Sequence, residues 1–201
     1  MIIAFDIDDT LGDLTFPALS VFDQMYNRTS TLMDLVNFVR SADYDPYGDF
    51  FAQLYGLSSD EVTEFFTFQA GELYWNMPSF PSAVKEAGVL KAQGYSLVYI
   101  TEREQRWADV TENWLVEKGF PQGGIYFDRD KVDLAKRLGV NLFYEDSLAN
   151  IWRLRAEGIP CKLVYSVQNF ISAEPEIEKL YWNPRMTRLF GLRVLRDSSL
   201  T

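Results

Sequence analysis

The chain has 201 residues, enough for one substantial domain or a core domain with a lobe inserted into it. Its apolar fraction of 47% and aromatic fraction of 15% support a packed core and exclude disorder as the default. The net charge of −10 argues against a broad basic face for polymeric nucleic acid, and the absence of histidine removes the usual general base, the serine–histidine triad and an imidazole zinc site.

No run approaches the roughly 20 apolar residues of a membrane span. No basic, cleavable leader precedes the first apolar segment. The single cysteine, Cys161, offers no internal disulfide. These features lead to the expectation of a cytoplasmic protein without a membrane partner.

In chain order, the first element is an apolar run over 2–7, interrupted by Asp6 and closed by Asp8, Asp9 and Thr10, which reads as a buried strand with acids at its carboxyl end. The stretch from about 12 to 80 then shows helix-like spacing over 17–27, 32–40, 47–55 and 59–75 and no strong strand. Ser58 or Ser59, with Glu61 and Glu64 nearby, suits a helix start. This insert is rich in aromatic residues, among them Phe50, Phe51, Tyr55, Phe65, Phe66, Phe68, Tyr74 and Trp75. Most are expected to form a bundle core, with one or two facing a cleft where a flat group could stack.

From 82 onward the rhythm changes to helix and strand in alternation. Helices are expected over 82–93, 104–118, 131–138 and 148–157, each followed closely by a glycine. Strands are expected over 96–100, 124–127, 141–144 and 161–165. Such alternation with short loops predicts a parallel sheet with right-handed crossovers. The tail carries a short helical pattern over 175–182 and ends with Arg185, Arg188, Arg193 and Arg196 among apolar residues.

Four polar features fall at the carboxyl ends of these strands, where open α/β sheets bind ligands. They are Asp6-Ile7-Asp8-Asp9-Thr10, Thr101-Glu102, Asp128-Arg129-Asp130-Lys131 and Glu145-Asp146-Ser147. Asp6 and Asp8, two residues apart, would point the same way on an ideal strand. Together with Glu145 and Asp146 they would repel unless a cation sat among them, and oxygen-only ligands favour Mg²⁺ over zinc. Thr101 adds a hydroxyl and Lys131 a positive charge suited to phosphate oxygens, a set that fits phosphoryl transfer.

In this order and placement the motifs resemble those of the haloacid dehalogenase-like superfamily of phosphohydrolases, over the span from Met1 to about Ser166. The resemblance implies a Rossmann-like three-layer α/β/α core with a parallel sheet, formed by 1–12 and 81–201, and an all-helical cap over 13–80 inserted after the first strand. It implies that Asp6 is the nucleophile and that Asp8 is the general acid and base. Mg²⁺ would be held by Asp6, the backbone carbonyl of Asp8 and Asp146, with Glu145 an outer acid. Thr101 and Lys131 would bind the phosphoryl group. Other readings stand beside these: Thr101 as a helix cap with Glu104, Lys136 as a rival to Lys131, Glu145 as a solvated acid, and Arg103 reaching the substrate or, by preference, facing water.

Within the superfamily, Tyr99-Ile100-Thr101-Glu102-Arg103, Asp130-Lys131 and Asn141-Leu142-Phe143-Tyr144-Glu145-Asp146-Ser147 are similar to the 5′(3′)-deoxyribonucleotidase group. The loop after the second strand reads Thr-Glu-Arg, where that group often has Thr-Ala-Arg or Thr-Ser-Pro. The substrate this implies is a small phosphomonoester, a (deoxy)ribonucleoside monophosphate first and a sugar phosphate as the alternative. A nucleic acid 3′-end phosphatase shares the chemistry, and a non-catalytic binding protein shares the fold. A homodimer is a further expectation.

Overall fold

In a computed structural model, residues 1–170 and 177–189 are described. Six strands form one parallel sheet in the order β3-β2-β1-β4-β5-β6, with β1 Ile2–Phe5, β2 Ser96–Thr101, β3 Gly124–Phe127, β4 Val140–Glu145, β5 Cys161–Val164 and β6 Glu178–Leu180. The chain moves outward from β1 first to one side and then to the other. A crevice therefore opens beyond the carboxyl ends of β1 and β4, which are neighbours in the sheet and far apart in sequence.

Strand periodicity builds the layers. Ile3 and Phe5 of β1, Leu97 and Tyr99 of β2 and Tyr144 of β4 point to one face. There they meet Ala83 and Ala87 of α6 (Pro81–Ala92) and Trp114 and Leu115 of α7 (Ala108–Glu117). Ala4, Val98, Ile100 and Phe143 point to the other face, against Val132, Leu134 and Ala135 of α8 (Lys131–Leu138) and Leu154 of α9 (Leu148–Ala156). Successive residues alternate between faces because a strand has a period of two. Helices cover both faces, so the strands read as continuous apolar runs rather than as a polar and apolar alternation.

Between β1 and α6 lie five helices: α1 Thr15–Met25, α2 Leu32–Val39, α3 Phe50–Tyr55, α4 Ser59–Phe68 and α5 Gly71–Asn76. Local chemistry starts two of them. Thr31 with Asp34, and Ser58 with Glu61, form reciprocal capping boxes at the heads of α2 and α4. Phe22, Leu35, Phe51 and Phe65 from these helices belong to the same apolar cluster as Phe5 and Tyr99 of the sheet. Phe22 lies within 4.9 Å of Phe51 and 4.6 Å of Phe65, ring centre to ring centre, a range suited to aromatic contact.

The chain leaves the sheet and returns to it along two adjacent segments. The Asp13 amide donates to the Pro78 carbonyl at 2.8 Å, and the Phe80 amide donates to the Leu11 carbonyl at 2.8 Å. Gly12 sits between them where no side chain fits. A Cβ there would lie 2.8 Å from the Met77 methyl, 2.8 Å from the Pro78 carbonyl and 2.9 Å from the Trp114 ring. The glycine is demanded by close approach of backbone.

Three expectations change. The first strand stops at Phe5 rather than at residue 7. The helix expected over 59–75 is two, α4 and α5, broken at Gln69–Ala70. Residues 178–180, expected in a helix, form β6 against β5, while a helix (α10) follows at Pro184–Leu189. A three-residue segment carries too little periodicity for helix and strand to be told apart. Of the tail arginines, Arg185 faces Asp13 at 3.4 Å and lies over the Phe16 ring at 4.8 Å. Arg193, Arg196 and the side chain of Arg188 lie outside the described residues.

Candidate active site

Asp6 is the first residue beyond β1. Its amide donates to the Tyr144 carbonyl at 2.9 Å, which fixes the strand end against β4. Its carboxylate meets the Lys131 ammonium at 2.7 Å. Lys131 opens α8, where Asp130 caps the helix by accepting from the Asp133 amide. The same ammonium reaches Glu145 at 3.0 Å and the half-exposed Glu102 at 3.6 Å. Glu145, at the end of β4, is fully buried. One of its oxygens takes Lys131, and the other accepts from the amides of Asp146 and Ser147 at 3.2 and 3.0 Å.

Asp146 follows. The Asn169 side chain holds its carbonyl at 2.7 Å, and the Thr10 hydroxyl lies 3.4 Å from its carboxylate. Carboxylate oxygens of Asp6, Glu145 and Asp146 all lie within 4.8 Å of one another.

The electrostatics follow from that crowding. Burial pushes the Asp6 carboxyl well up from its ordinary value, Lys131 pulls it back, and Glu145 and Asp8 push it up again. Asp146 is raised by burial and by the charges of Asp9, Glu145 and Asp6. Burial disfavours the Lys131 ammonium, but Asp6, Glu145 and Glu102 outweigh it and hold its pKa above the ordinary range. One lysine thus faces three buried carboxylates, and a divalent cation is the partner that would balance the set. The donors are all oxygen and the sequence has no histidine, so the residues fit Mg²⁺.

Asp9 is a separate anchor. Its backbone is left-handed, at φ 57°, a conformation that aspartate tolerates better than most residues. Its carboxylate accepts from the amides of Leu14 and Thr15 at 3.1 and 3.0 Å and from the Thr15 hydroxyl at 2.6 Å, which ties the strand end to the start of α1. Burial and the charge of Asp13 raise its pKa to about 7.

Asp8 does not share the environment of Asp6. Because β1 has ended, the two residues are no longer bound to one face. The Asp8 carboxylate is paired with Arg103, which reaches it through Nε at 2.9 Å and through Nη2 to the other oxygen. Arg103 is therefore buried and does not face water as expected. A sequence carries no sign of this beyond the arginine's position, two residues past the strand that lies beside β1.

Thr101 ends β2, is fully buried, and accepts the Arg103 amide at 3.2 Å. It caps no helix. The next helical turn begins at Gln105, and no side chain caps it. Lys136 is turned away and pairs with Glu157 on the surface. Glu145 is buried in the cluster and is no solvated acid.

A cleft of about 350 Å³ lies between the helices and the sheet edge. Asp8, Glu102, Arg103 and Arg129 line it together with Phe50, Phe51, Phe66 and Tyr74. Of the remaining aromatic residues, Phe65 is in the core, Tyr55 donates to Asp23 at 2.7 Å, and Phe68 and Trp75 are exposed. No described helix is long and apolar enough to cross a membrane.

No protein-family model matches the chain. A protein of Bacillus cereus named "Putative nucleotidase" is 30% identical over 151 residues, spanning 72% of this chain and 76% of its own. Among solved structures, a haloacid dehalogenase-like hydrolase of Bacteroides fragilis aligns over 92% of this chain and 98% of its own, with a TM-score of 0.61 and 18% identity. A haloacid dehalogenase-like hydrolase of Bacillus subtilis, crystallised with magnesium, aligns over 95% and 98% with a TM-score of 0.55 and 13% identity.

Proposed function

The chain belongs to the haloacid dehalogenase-like superfamily of phosphohydrolases, and on that premise we propose that it is a Mg²⁺-dependent nucleotidase that hydrolyses (deoxy)ribonucleoside monophosphates through a phosphoryl-aspartate at Asp6. The observation that carries the reading is Asp6 itself. It is a buried carboxylate held at 2.7 Å by a lysine, beside two further buried acids at the strand end, and Asp8, two residues on, lines the aromatic-walled cleft.

Asp6 attacks phosphorus, and the bond to the leaving oxygen breaks while Asp8 gives that oxygen its proton. Asp8 then takes a proton from the water that attacks the phosphoryl-aspartate. Phosphate leaves and Asp6 is restored. Lys131 orients the Asp6 oxygen and neutralises charge on the transferring group, and the Thr101 hydroxyl contributes a donor at the same strand edge. Asp6, Asp146 and the backbone carbonyl of Asp8 would hold Mg²⁺, which would supply neutralisation of charge on the phosphoryl oxygens. Both Glu145 oxygens are engaged, which suits a support for Lys131 and the β4 turn more than a ligand.

The helical segment 13–80 acts as a cap on the core formed by 1–12 and 81–201. Phe50, Phe51 and Phe66 in the cleft wall suit a flat nucleobase, as does the name of the Bacillus cereus relative.

The test is phosphate release with Mg²⁺ across nucleoside monophosphates, sugar phosphates and a 3′-phosphorylated oligonucleotide. Nucleotides are expected to turn over fastest. Asp6→Asn should lower their turnover by at least ~10³-fold, and Phe66→Ala should raise the KM for nucleotides alone, by about tenfold. Activity confined to sugar phosphates would overturn the nucleotidase reading and leave the mechanism. Full activity in Asp6→Asn would overturn the mechanism.

A further inference from the structure

Arg103 is more deeply buried than the acid it serves. Its side chain is 1% exposed, against 23% for Asp8. It makes the two-pronged pair with Asp8, donates through Nη1 to the Thr111 hydroxyl at 3.0 Å, and places Nη2 3.7 Å from the Met77 sulfur. Its guanidinium lies 3.9 Å above the centre of the Tyr74 ring, within the range of a cation–π contact.

These partners come from different parts of the molecule. Asp8 lies in the loop that follows β1 and Thr111 is on α7. Tyr74 is on α5, and Met77 is on the segment by which the chain returns to the sheet. Met77 is itself fixed, since the Trp114 indole donates to its carbonyl at 2.7 Å.

A buried guanidinium loses much hydration, and that loss is offset only by good pairing. Here the pairing is aimed at a carboxylate that opens onto the cleft. Two parallel N–H···O bonds fix the plane of a carboxylate as well as its position, which an ammonium cannot do.

We propose that Arg103 is the positioning residue for Asp8. It sets the plane of the Asp8 carboxylate toward the leaving oxygen, and it takes its own orientation from Tyr74 and Met77, so that the helical segment is coupled to the acid. The inference rests on the role of Asp8 given above. Arg103 acts through Asp8 and carries no proton in the reaction.

The experiment compares kcat/KM for two esters under saturating Mg²⁺: p-nitrophenyl phosphate, whose leaving phenolate needs little protonation, and the best alkyl phosphate found in the substrate panel. Arg103→Met is expected to lower the alkyl value by ~100-fold, inside the usual range of acid–base catalysis, and the aryl value by less than ~5-fold. Arg103→Lys, which keeps the charge without the fork, should lie between. Asp8→Asn and the double variant Asp8→Asn/Arg103→Met should be equal on the alkyl ester, because the arginine then has nothing to orient.

A structural role alone predicts something else: equal losses on both esters and a double variant worse than Asp8→Asn. Either result would overturn the proposal, and so would a wild-type ratio of the two esters in both Arg103 variants. Should Arg103→Met fail to fold, Arg103→Lys and the double-variant series built on it decide by the same criteria. Tyr74→Ala should reduce the alkyl-to-aryl ratio by about fivefold while Tyr74→Phe, which keeps the ring face, preserves it. An unchanged ratio in Tyr74→Ala overturns the coupling to α5. Inactive Asp6→Asn with fully active Asp8→Asn would remove the role of Asp8, and this inference with it, while sparing the nucleophile.

Discussion

Two ion pairs begin within three residues of one another at the end of β1, and they are built on opposite plans. At Asp6 one lysine sits among Asp6, Glu145 and, at the rim, Glu102, with Asp146 alongside, so negative charge is in excess and burial keeps bulk solvent from relieving it. At Asp8 one arginine meets one carboxylate, the charges balance, and the acid opens onto the cleft. The first arrangement is incomplete without a further cation. The second is complete as it stands and fixes direction instead of demanding a ligand. On the proposed mechanism, a nucleophile at Asp6 that stays ionised beside a metal and an acid at Asp8 that keeps one orientation ask for these different solutions.

The sharpest way to break that contrast is to remove the lysine. Lys131→Met leaves Asp6 and Glu145 buried without their cation, and loss of one partner from a buried pair costs about 3–5 kcal/mol. Urea unfolding in chelator should show a loss of that size, and saturating Mg²⁺ should restore part of it. If Lys131→Met in chelator were as stable as the wild type, the excess of charge would not be a real strain on the fold.

The second test uses pH. Asp6, Asp9 and Asp146 all have raised carboxyl pKa values in the fold, Asp9 to about 7, chiefly through burial. A raised acid binds its proton more tightly in the native state. Its contribution to stability is therefore present below the unfolded-state value and is lost as pH rises through the folded value. For Asp9 that window runs from 3.8 to about 7. Asp9 alone should take about 2–3 kcal/mol from the metal-free protein between pH 5 and pH 8, because each pH step of one crossed inside the window removes about 1.4 kcal/mol, and Asp6 and Asp146 add to that loss. Since Mg²⁺ binds the ionised carboxylates, its increment in Tm should be larger at pH 8 than at pH 5. Equal increments at both pH values would mean that the cluster is not what the cation meets.

The two pairs were not equally legible in the sequence. Asp6, Lys131, Glu145 and Asp146 lie at strand ends and a helix start, and the strands announce themselves through apolar runs and glycine stops. Strand order and the crossover rule then bring the four together. The Asp8–Arg103 pair depends on where β1 stops. An apolar run over 2–7 does not reveal that the strand ends at Phe5, because Ile7 is fully buried whether or not it lies in the sheet. The helical segment between β1 and α6 shows the same limit. A capping serine gave the start of α4, but Phe50 and Phe51 line the cleft while Phe65 does not, and helical period does not make that choice, since all three belong to the same apolar cluster.

The mildest test separates the buried part of the Asp6 cluster from its rim. Glu102 lies 3.6 Å from the Lys131 ammonium, but its side chain is 49% exposed and it also accepts from Asn150 at 2.9 Å. Water screens a carboxylate in that position, so its pairing should contribute well under 1 kcal/mol. Glu102→Gln keeps the size and an acceptor for Asn150 while removing the charge. Its stability in urea should stay within about 0.5 kcal/mol of the wild type, and that small difference should shrink further in salt. Glu145→Gln, by contrast, removes a charge of the same kind at 3.0 Å in the dry interior and should cost several-fold more than Glu102→Gln in the same titration. Equal costs for the two would show that the rim and the interior of the cluster feel the same solvent, and the contrast between the buried site and the cleft would lose its physical basis.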